Sequence, residues 1–115
     1  MKVTTQWLEK MKFVASAEGP QGPLSINMDT RSPIGSDSAL TPKQLLLAGL
    51  AGCTAMDVVA LLKKYKQPLE SFNVETEVEK SGSGYPEVFT SALLTFHLKG
   101  AMDQDKVMEA VRLSQ

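Results

Sequence analysis

The chain has one cysteine and one histidine, so by itself it cannot close an internal disulfide, build a Cys/His zinc site or hold an iron–sulfur cluster. Whatever Cys53 does, it does without a second cysteine on this chain. Excess charge of either sign is equally lacking: twelve Lys+Arg stand against thirteen Asp+Glu, a net charge of -1. No global field would recruit a phosphate backbone or an anionic bilayer, and neither nucleic acid nor membrane is an expected partner. Residues 1–13 alternate polar and apolar side chains and lack the unbroken apolar core of a secretory signal, which predicts a cytoplasmic protein. The most apolar stretch, residues 45–62, is interrupted by Gly49, Gly52, Thr54 and Asp57. An Asp near a bilayer centre costs about 2.5–3.5 kcal/mol, so the stretch reads as a buried helix rather than a membrane span. With 115 residues, 43% of them hydrophobic and 22% charged, the chain is expected to form one globular domain over residues 1–115.

Alternation organises the first part. Val3, Thr5 and Trp7, then Met11, Phe13 and Ala15, recur at period two, and Gly19-Pro20-Gln21-Gly22-Pro23 marks a turn before Leu24, Ile26 and Met28 alternate again. Residues 29–40 carry Asp, Arg, Ser, Pro and Gly with no period, the composition of a functional loop, and they bring Arg31 close in sequence to the central helix. Thr41-Pro42-Lys43-Gln44 is a helix start, with Thr41 as N-cap, Pro42 at the first helical position and Gln44 completing a capping box. The helix is expected to run over residues 42–66, with Lys63, Lys64 and Lys66 suited to the negative end of its dipole and Pro68 ending it. Beyond it, Phe72, Val74, Thr76 and Val78 alternate with Asn73, Glu75, Glu77 and Glu79, an inward apolar face and a solvated acidic one. Residues 81–86 form a flexible connection to a strand whose inward face is Ala92, Leu94, Phe96 and Leu98, with His97 on the other side. Asp103 caps a last helix with Val107, Met108, Val111 and Leu113 on its apolar stripe.

Very small side chains, Ala48, Gly49, Ala51, Gly52 and Ala55, surround Cys53, an arrangement that permits close approach by another element although helix propensity disfavours both glycines. A helical side chain leans toward the preceding turn, so the sulfur lies over Leu50 and Gly49, with open space for a partner or a small substrate. From composition and spacing alone Cys53 reads first as a small core hydrophobe, as most buried free cysteines are. Reactivity requires a thiolate, and a thiolate on an apolar helix requires a cation or donors. None is adjacent in sequence, Asp57 would oppose ionisation, and Arg31 is the candidate cation; its alternative is to brace the loop. A Cys53–His97 nucleophilic pair would suit a hydrolase, but nothing marks an oxyanion hole or a residue orienting the imidazole.

The run TPKQLLLAGLAGCTAMDVV, residues 41–59, resembles the signature of the OsmC/Ohr family, the osmotically inducible and organic hydroperoxide resistance proteins. There a Pro opens the long central helix, a Leu-rich turn comes next, and two small residues immediately precede a buried peroxidatic cysteine. The element order agrees along essentially the whole sequence. The resemblance implies an α+β fold with N-terminal antiparallel strands, a long buried central helix, two further strands and a C-terminal helix. It also implies a homodimer with its sites at the subunit interface. In the family the first cysteine attacks the peroxide to give a sulfenic acid, and a second cysteine resolves this to a disulfide; Cys53 matches the first. The second would lie beyond the helix matched by residues 103–113, and this sequence stops at Gln115. If the chain is complete, turnover needs an external thiol. Gln44 stands where the family has a helix-start carboxylate that holds the activating arginine, a weaker acceptor, and Arg31 is matched to that arginine.

These readings converge on a thiol peroxidase for organic hydroperoxides, with Cys53 as nucleophile, Arg31 favouring its thiolate, Gln44 orienting Arg31, and no metal or organic cofactor. A different class remains open: a non-catalytic relative that binds a small hydrophobic ligand at the dimer interface, with Cys53 only as packing. A third reading is a family domain whose missing C-terminal part removes activity.

Overall fold

The computed structural model describes residues 1–81 and 88–114. Its elements are β1 (Thr4–Glu9), β2 (Lys12–Gly19), β3 (Gly22–Met28), α1 (Pro42–Lys64), β4 (Ser71–Ser81), β5 (Val88–Lys99) and α2 (Gln104–Leu113). This is the expected α+β order. The connection expected at residues 81–86 lies, apart from the strand position of Ser81, outside the described residues. The chain divides into two compact units, Met1–Leu46 and Leu47–Gln115.

In the first unit the strands form an antiparallel sheet in the order β1-β2-β3. Gly19 pairs with Gly22 across the two-residue turn Pro20-Gln21, and Gly22 has φ +121°, a conformation that side chains beyond glycine rarely adopt. Pro23, which has no N–H to give, is tolerated because β3 is an edge strand. The register pairs Trp7 with Phe13, Phe13 with Met28, Ala15 with Ile26 and Ala17 with Leu24. The period-two pattern therefore gathers one apolar face. That face is not covered: Trp7, Leu24 and Ile26 are exposed, and among the described residues of this unit no hydrophobic side chain is buried. The single buried side chain is polar, Asp29.

Helix α1 begins as its sequence predicts. The Thr41 N–H donates to Gln44 Oε1 at 3.0 Å, and the Gln44 N–H donates to Thr41 Oγ1 at 3.2 Å, a complete capping box. Its end differs from expectation by two residues. Lys66 takes φ +58°, its N–H reaches the Lys63 carbonyl and the Gln67 N–H reaches the Leu62 carbonyl, the paired bonds of a Schellman turn. The stop is thus a left-handed lysine ahead of Pro68. Because that conformation costs a residue with a Cβ about 1 kcal/mol relative to glycine, Lys66→Gly should raise the unfolding free energy by about that amount in a urea titration.

The second unit builds its core from the C-terminal half of α1, the antiparallel β4-β5 pair and α2. Val58, Leu62 and Ala110 are buried, with Leu61, Tyr65, Phe72, Leu98 and Val107 packed against them. Phe72 and Phe96 rings lie 5.9 Å apart and tilted, as the alternation predicts. Two corrections apply to the expected apolar faces. Ala92 is exposed, and on α2 Met108 and Leu113 are exposed while Ala110, which the stripe omitted, is buried. A small side chain lets α2 approach Val58 and Leu62 closely, so size outweighs hydrophobicity at that position. Asp103 caps α2 by accepting from the Asp105 N–H at 2.9 Å.

The long helix is the main departure. Expected to be buried, α1 has only Val58 and Leu62 buried, while Leu46, Leu50, Met56 and Val59 are exposed. An ideal Cβ on Gly49 or Gly52 meets nothing within 4 Å, so among the described residues of this unit the close approach that the small residues permit is not made. By length and composition alone the helix could cross a membrane.

Candidate functional site

Cys53 is exposed. On a helix with 3.6 residues per turn it shares a side with Leu50 and Met56, both exposed, one 45% and the other 74%. The side that enters the core carries Val58 and Leu62 instead. Among the described residues of this unit, Cys53 takes no part in the core cluster. Gly49, one turn before it, leaves the space over which the thiol leans. Asp57 is exposed on the next turn.

Arg31 lies in the loop that joins β3 to α1, in the other compact unit. Its side chain is exposed, and its guanidinium has no hydrogen-bond or ion-pair partner among the described residues. Gln44, expected to orient it, is not bonded to it. The Gln44 amide oxygen accepts from Thr41 instead, so its capping role is the one that the geometry supports.

Asp29 is a functional candidate that its sequence context alone did not single out. It is 1% exposed, and its carboxylate is the centre of the loop. Oδ1 accepts from the Thr30 N–H at 2.7 Å, and Oδ2 accepts from the Ser36 N–H at 3.3 Å, the Ser38 N–H at 3.1 Å and the Ser38 hydroxyl at 2.5 Å. The Ser38 hydroxyl and then the Thr30 N–H do most to hold this carboxyl well below the usual carboxylate range, against the opposing effect of burial. The signal available in sequence was an Asp opening a loop rich in Ser and Gly, the residue types that offer unencumbered amides.

His97 and Glu75 face solvent on the polar side of β4-β5, 3.6 Å apart. His97 thus has the outward position expected of it and a carboxylate neighbour, not a cysteine. Among the described residues no group of His, Cys, Asp and Glu has the arrangement of a metal site.

Within the first unit, the apolar face of the sheet and the loop border an open cavity of about 650 Å³, lined by Thr5, Met11, Phe13, Met28, Asp29, Thr30, Ile34 and Pro42. It is of the size that takes a small organic molecule. Its walls are apolar apart from Thr5 and the loop residues Asp29 and Thr30, and Asp29 is already saturated by its four donors.

The chain matches the model of a family described as OsmC-like protein over residues 35–115, the segment that holds Cys53, α1 and both later strands. Protein YhfA of Escherichia coli is 34% identical over 116 aligned positions, 99% of this chain and 81% of the relative. Among solved structures, an OsmC-like protein of Vibrio cholerae superposes with a TM-score of 0.75 at 13% identity, over 98% of this chain and 85% of its own. An organic hydroperoxide resistance protein of Legionella pneumophila superposes with a TM-score of 0.64 at 19% identity, over 99% and 82%. The two structures carry the fold, and the family match and the Escherichia coli relative carry the kinship: the chain belongs to the OsmC-like family.

Proposed function

We propose that this protein is a thiol-dependent peroxidase that reduces organic hydroperoxides and serves in defence against oxidative stress. The observation that carries the reading is Cys53 standing exposed on α1 inside the family-matched segment, with no part in the core. Support comes also from a structural relative named for organic hydroperoxide resistance and from an arginine, in the loop before the helix, whose guanidinium is unpaired among the described residues. The Cys53 thiolate attacks one peroxide oxygen. The O–O bond breaks as the S–O bond forms, the sulfur is oxidised to a sulfenic acid, and the alkoxide leaves and takes a proton to become the alcohol. An external thiol then condenses with the sulfenic acid, releasing water and leaving a mixed disulfide. A second thiol frees Cys53 and carries away the disulfide. The family resemblance assigns the cation that such a thiolate needs to Arg31. Such a cycle suits the reducing cytoplasm, where thiols are maintained, and calls for neither membrane nor nucleic acid. The open space at Gly49 and Gly52 and the uncovered Leu50 and Met56 support assembly as a homodimer through α1.

Stopped-flow mixing of the reduced protein with cumene hydroperoxide, and separately with hydrogen peroxide, tests the reading. The expected result is oxidation of Cys53 far faster than that of a free thiol at the same pH, with the organic peroxide preferred. A rate no greater than that of a free thiol overturns it. A second reading, a non-catalytic binder of a small hydrophobic ligand, is favoured by the apolar cavity of the first unit, whose lining does not include Cys53.

A further inference from the structure

We propose that Asp57 is a specificity-determining residue beside Cys53: its carboxylate sorts by charge the external thiols that regenerate Cys53, favouring a thiol with a cationic group near its sulfur over an anionic one. The inference rests on the peroxidase reading, whose cycle needs an external thiol, and deepens it by giving that thiol a chemical class.

Asp57 is the one charged residue between Leu47 and Leu62, and no structural task accounts for it. It lies well inside α1, so it neither caps an end nor complements the helix dipole, whose influence is confined to the first and last turns. Its neighbours one turn away on the helix are Cys53, Thr54, Ala60 and Leu61, which include no cation to pair with it. The Thr54 hydroxyl is committed to the Leu50 carbonyl, at 3.3 Å. Among the described residues the Asp57 carboxylate has no hydrogen-bond or ion-pair partner, and both it and Cys53 are exposed. Residues four apart on a helix stand one above the other, with Cβ atoms about 5–6 Å apart, and that spacing belongs to α1 itself, whatever covers the face. Val58 and Leu62 enter the core from the other side. The nearest lysines after Cys53 on α1, Lys63 and Lys64, lie about 15 Å further along its axis, beyond the roughly 8 Å over which salt leaves a surface charge effective.

A molecule that restores Cys53 must bring its own sulfur to the Cys53 sulfur, and so carries its substituents within reach of Asp57. In the first step the thiol condenses with the sulfenic acid: the S–S bond forms, and the thiol proton leaves with the hydroxyl as water. In the second a thiolate attacks the outer sulfur of the mixed disulfide, the new disulfide departs, and Cys53 is released as its thiolate. An attacking thiolate is already anionic. If it also bears a carboxylate, two negative charges approach a third; if it bears an ammonium group, it is neutral overall and has a cation to set against Asp57. Attraction raises the rate of such an encounter and repulsion lowers it.

The test starts from the full chain with Cys53 held as its mixed disulfide with 2-mercaptoethanol, made by exchange with hydroxyethyl disulfide and therefore without peroxide. Release of the protein thiol by cysteamine, by 2-mercaptoethanol and by thioglycolate is followed by intact mass. Each rate is taken per thiolate and divided by that thiolate's rate with hydroxyethyl disulfide, which removes intrinsic reactivity. The expected result is a cysteamine to thioglycolate ratio of about five at low ionic strength, with 2-mercaptoethanol between them, contracting toward unity in about 0.5 M salt. Asp57→Asn should bring the ratio to unity at every salt concentration, and Asp57→Glu should retain most of it. The proposal is overturned if wild type shows no preference or prefers thioglycolate, as it would if a cation governed the field at the sulfur. It is equally overturned if Asp57→Asn keeps the wild-type ratio. Should the Asp57→Asn protein not fold, the sign of the wild-type preference and its loss in salt decide the matter. The two failures are separable: slow oxidation by cumene hydroperoxide removes the cycle and leaves the charge preference measurable, whereas a missing preference removes the sorting and leaves the cycle.

Discussion

Cys53→Ser is expected to lower the rate of organic hydroperoxide reduction to the level of buffer, a loss of at least about a thousandfold. The size comes from the chemistry of the step rather than from any structural change. A serine hydroxyl is not ionised near neutral pH, and it cannot accept an oxygen atom as sulfur does, so the transfer that forms the sulfenic acid has no counterpart. Because Cys53 is exposed and outside the core cluster, the substitution should leave the unfolding midpoint unchanged. A large fall in rate with an unaltered midpoint would separate chemistry from packing. Arg31→Gln should behave differently from Cys53→Ser. Its rate should fall less, by about tenfold, because the nucleophile stays in place and only a favourable charge is removed. A Cys53→Ser protein that still consumes organic peroxide rapidly would remove the peroxidase reading, and the apolar cavity would become the place to look for a ligand.

The second large effect concerns assembly. Met56→Glu is expected to convert a dimer into a monomer in sedimentation velocity at micromolar concentration. Met56 is 74% exposed on the same side of α1 as Cys53, beside two glycines whose missing side chains leave space for another backbone. A charge left without a partner in a buried interface costs about 3–5 kcal/mol. A two-fold interface counts every substitution twice, so the dissociation constant should rise by at least about a thousandfold. A control at Glu77, on the solvated side of β4, should leave the dimer intact as Glu77→Gln. A wild-type protein that sediments as a monomer at these concentrations would end the dimer proposal outright.

Local chemistry made much of the fold legible. The capping box at Thr41 and Gln44, the turn at Pro20-Gln21, the Asp103 cap and the alternation through Phe72, Val74 and Phe96 each depend on residues a few positions apart, and each appears as read. Misread features depend on contacts the sequence does not encode locally. Apolar periodicity says that α1 will be covered, but not what covers it, and among the described residues of its unit only Val58 and Leu62 on it are buried. Hydrophobicity pointed to Met108 for the α2 core, whereas close packing on Val58 and Leu62 selects Ala110. Asp29 escaped notice because its donors, at Thr30, Ser36 and Ser38, converge only once the loop has closed. For the candidate site, the residues Cys53 and Arg31 could be nominated from sequence. That Gln44 makes no bond to Arg31, and that a buried carboxylate organises the arginine loop, required coordinates.

The acid behaviour of that carboxylate has a definite sign. Its folded pKa lies below the ordinary value, so the stability it contributes is complete above about pH 4, the unfolded pKa of an Asp, and is lost progressively as the pH falls below that. Amide exchange at Ser36 and Ser38 should accelerate, relative to strand amides of β2, as the pH is lowered from 5 to 3, and should show no such relative change between pH 5 and 7.

Two of the walls of the 650 Å³ cavity are thioethers, Met11 and Met28. A hydroperoxide that gives an oxygen atom to such a sulfur leaves as the alcohol, and the apolar side chain becomes a polar, chiral sulfoxide. Each event would make the cavity less hospitable to hydrocarbon without touching Cys53. On the peroxidase reading the protein would then age as it works, the cavity growing more polar with cumulative exposure while the thiol count stayed constant. Only a sulfoxide reductase, not the thiol that restores Cys53, could reset that clock.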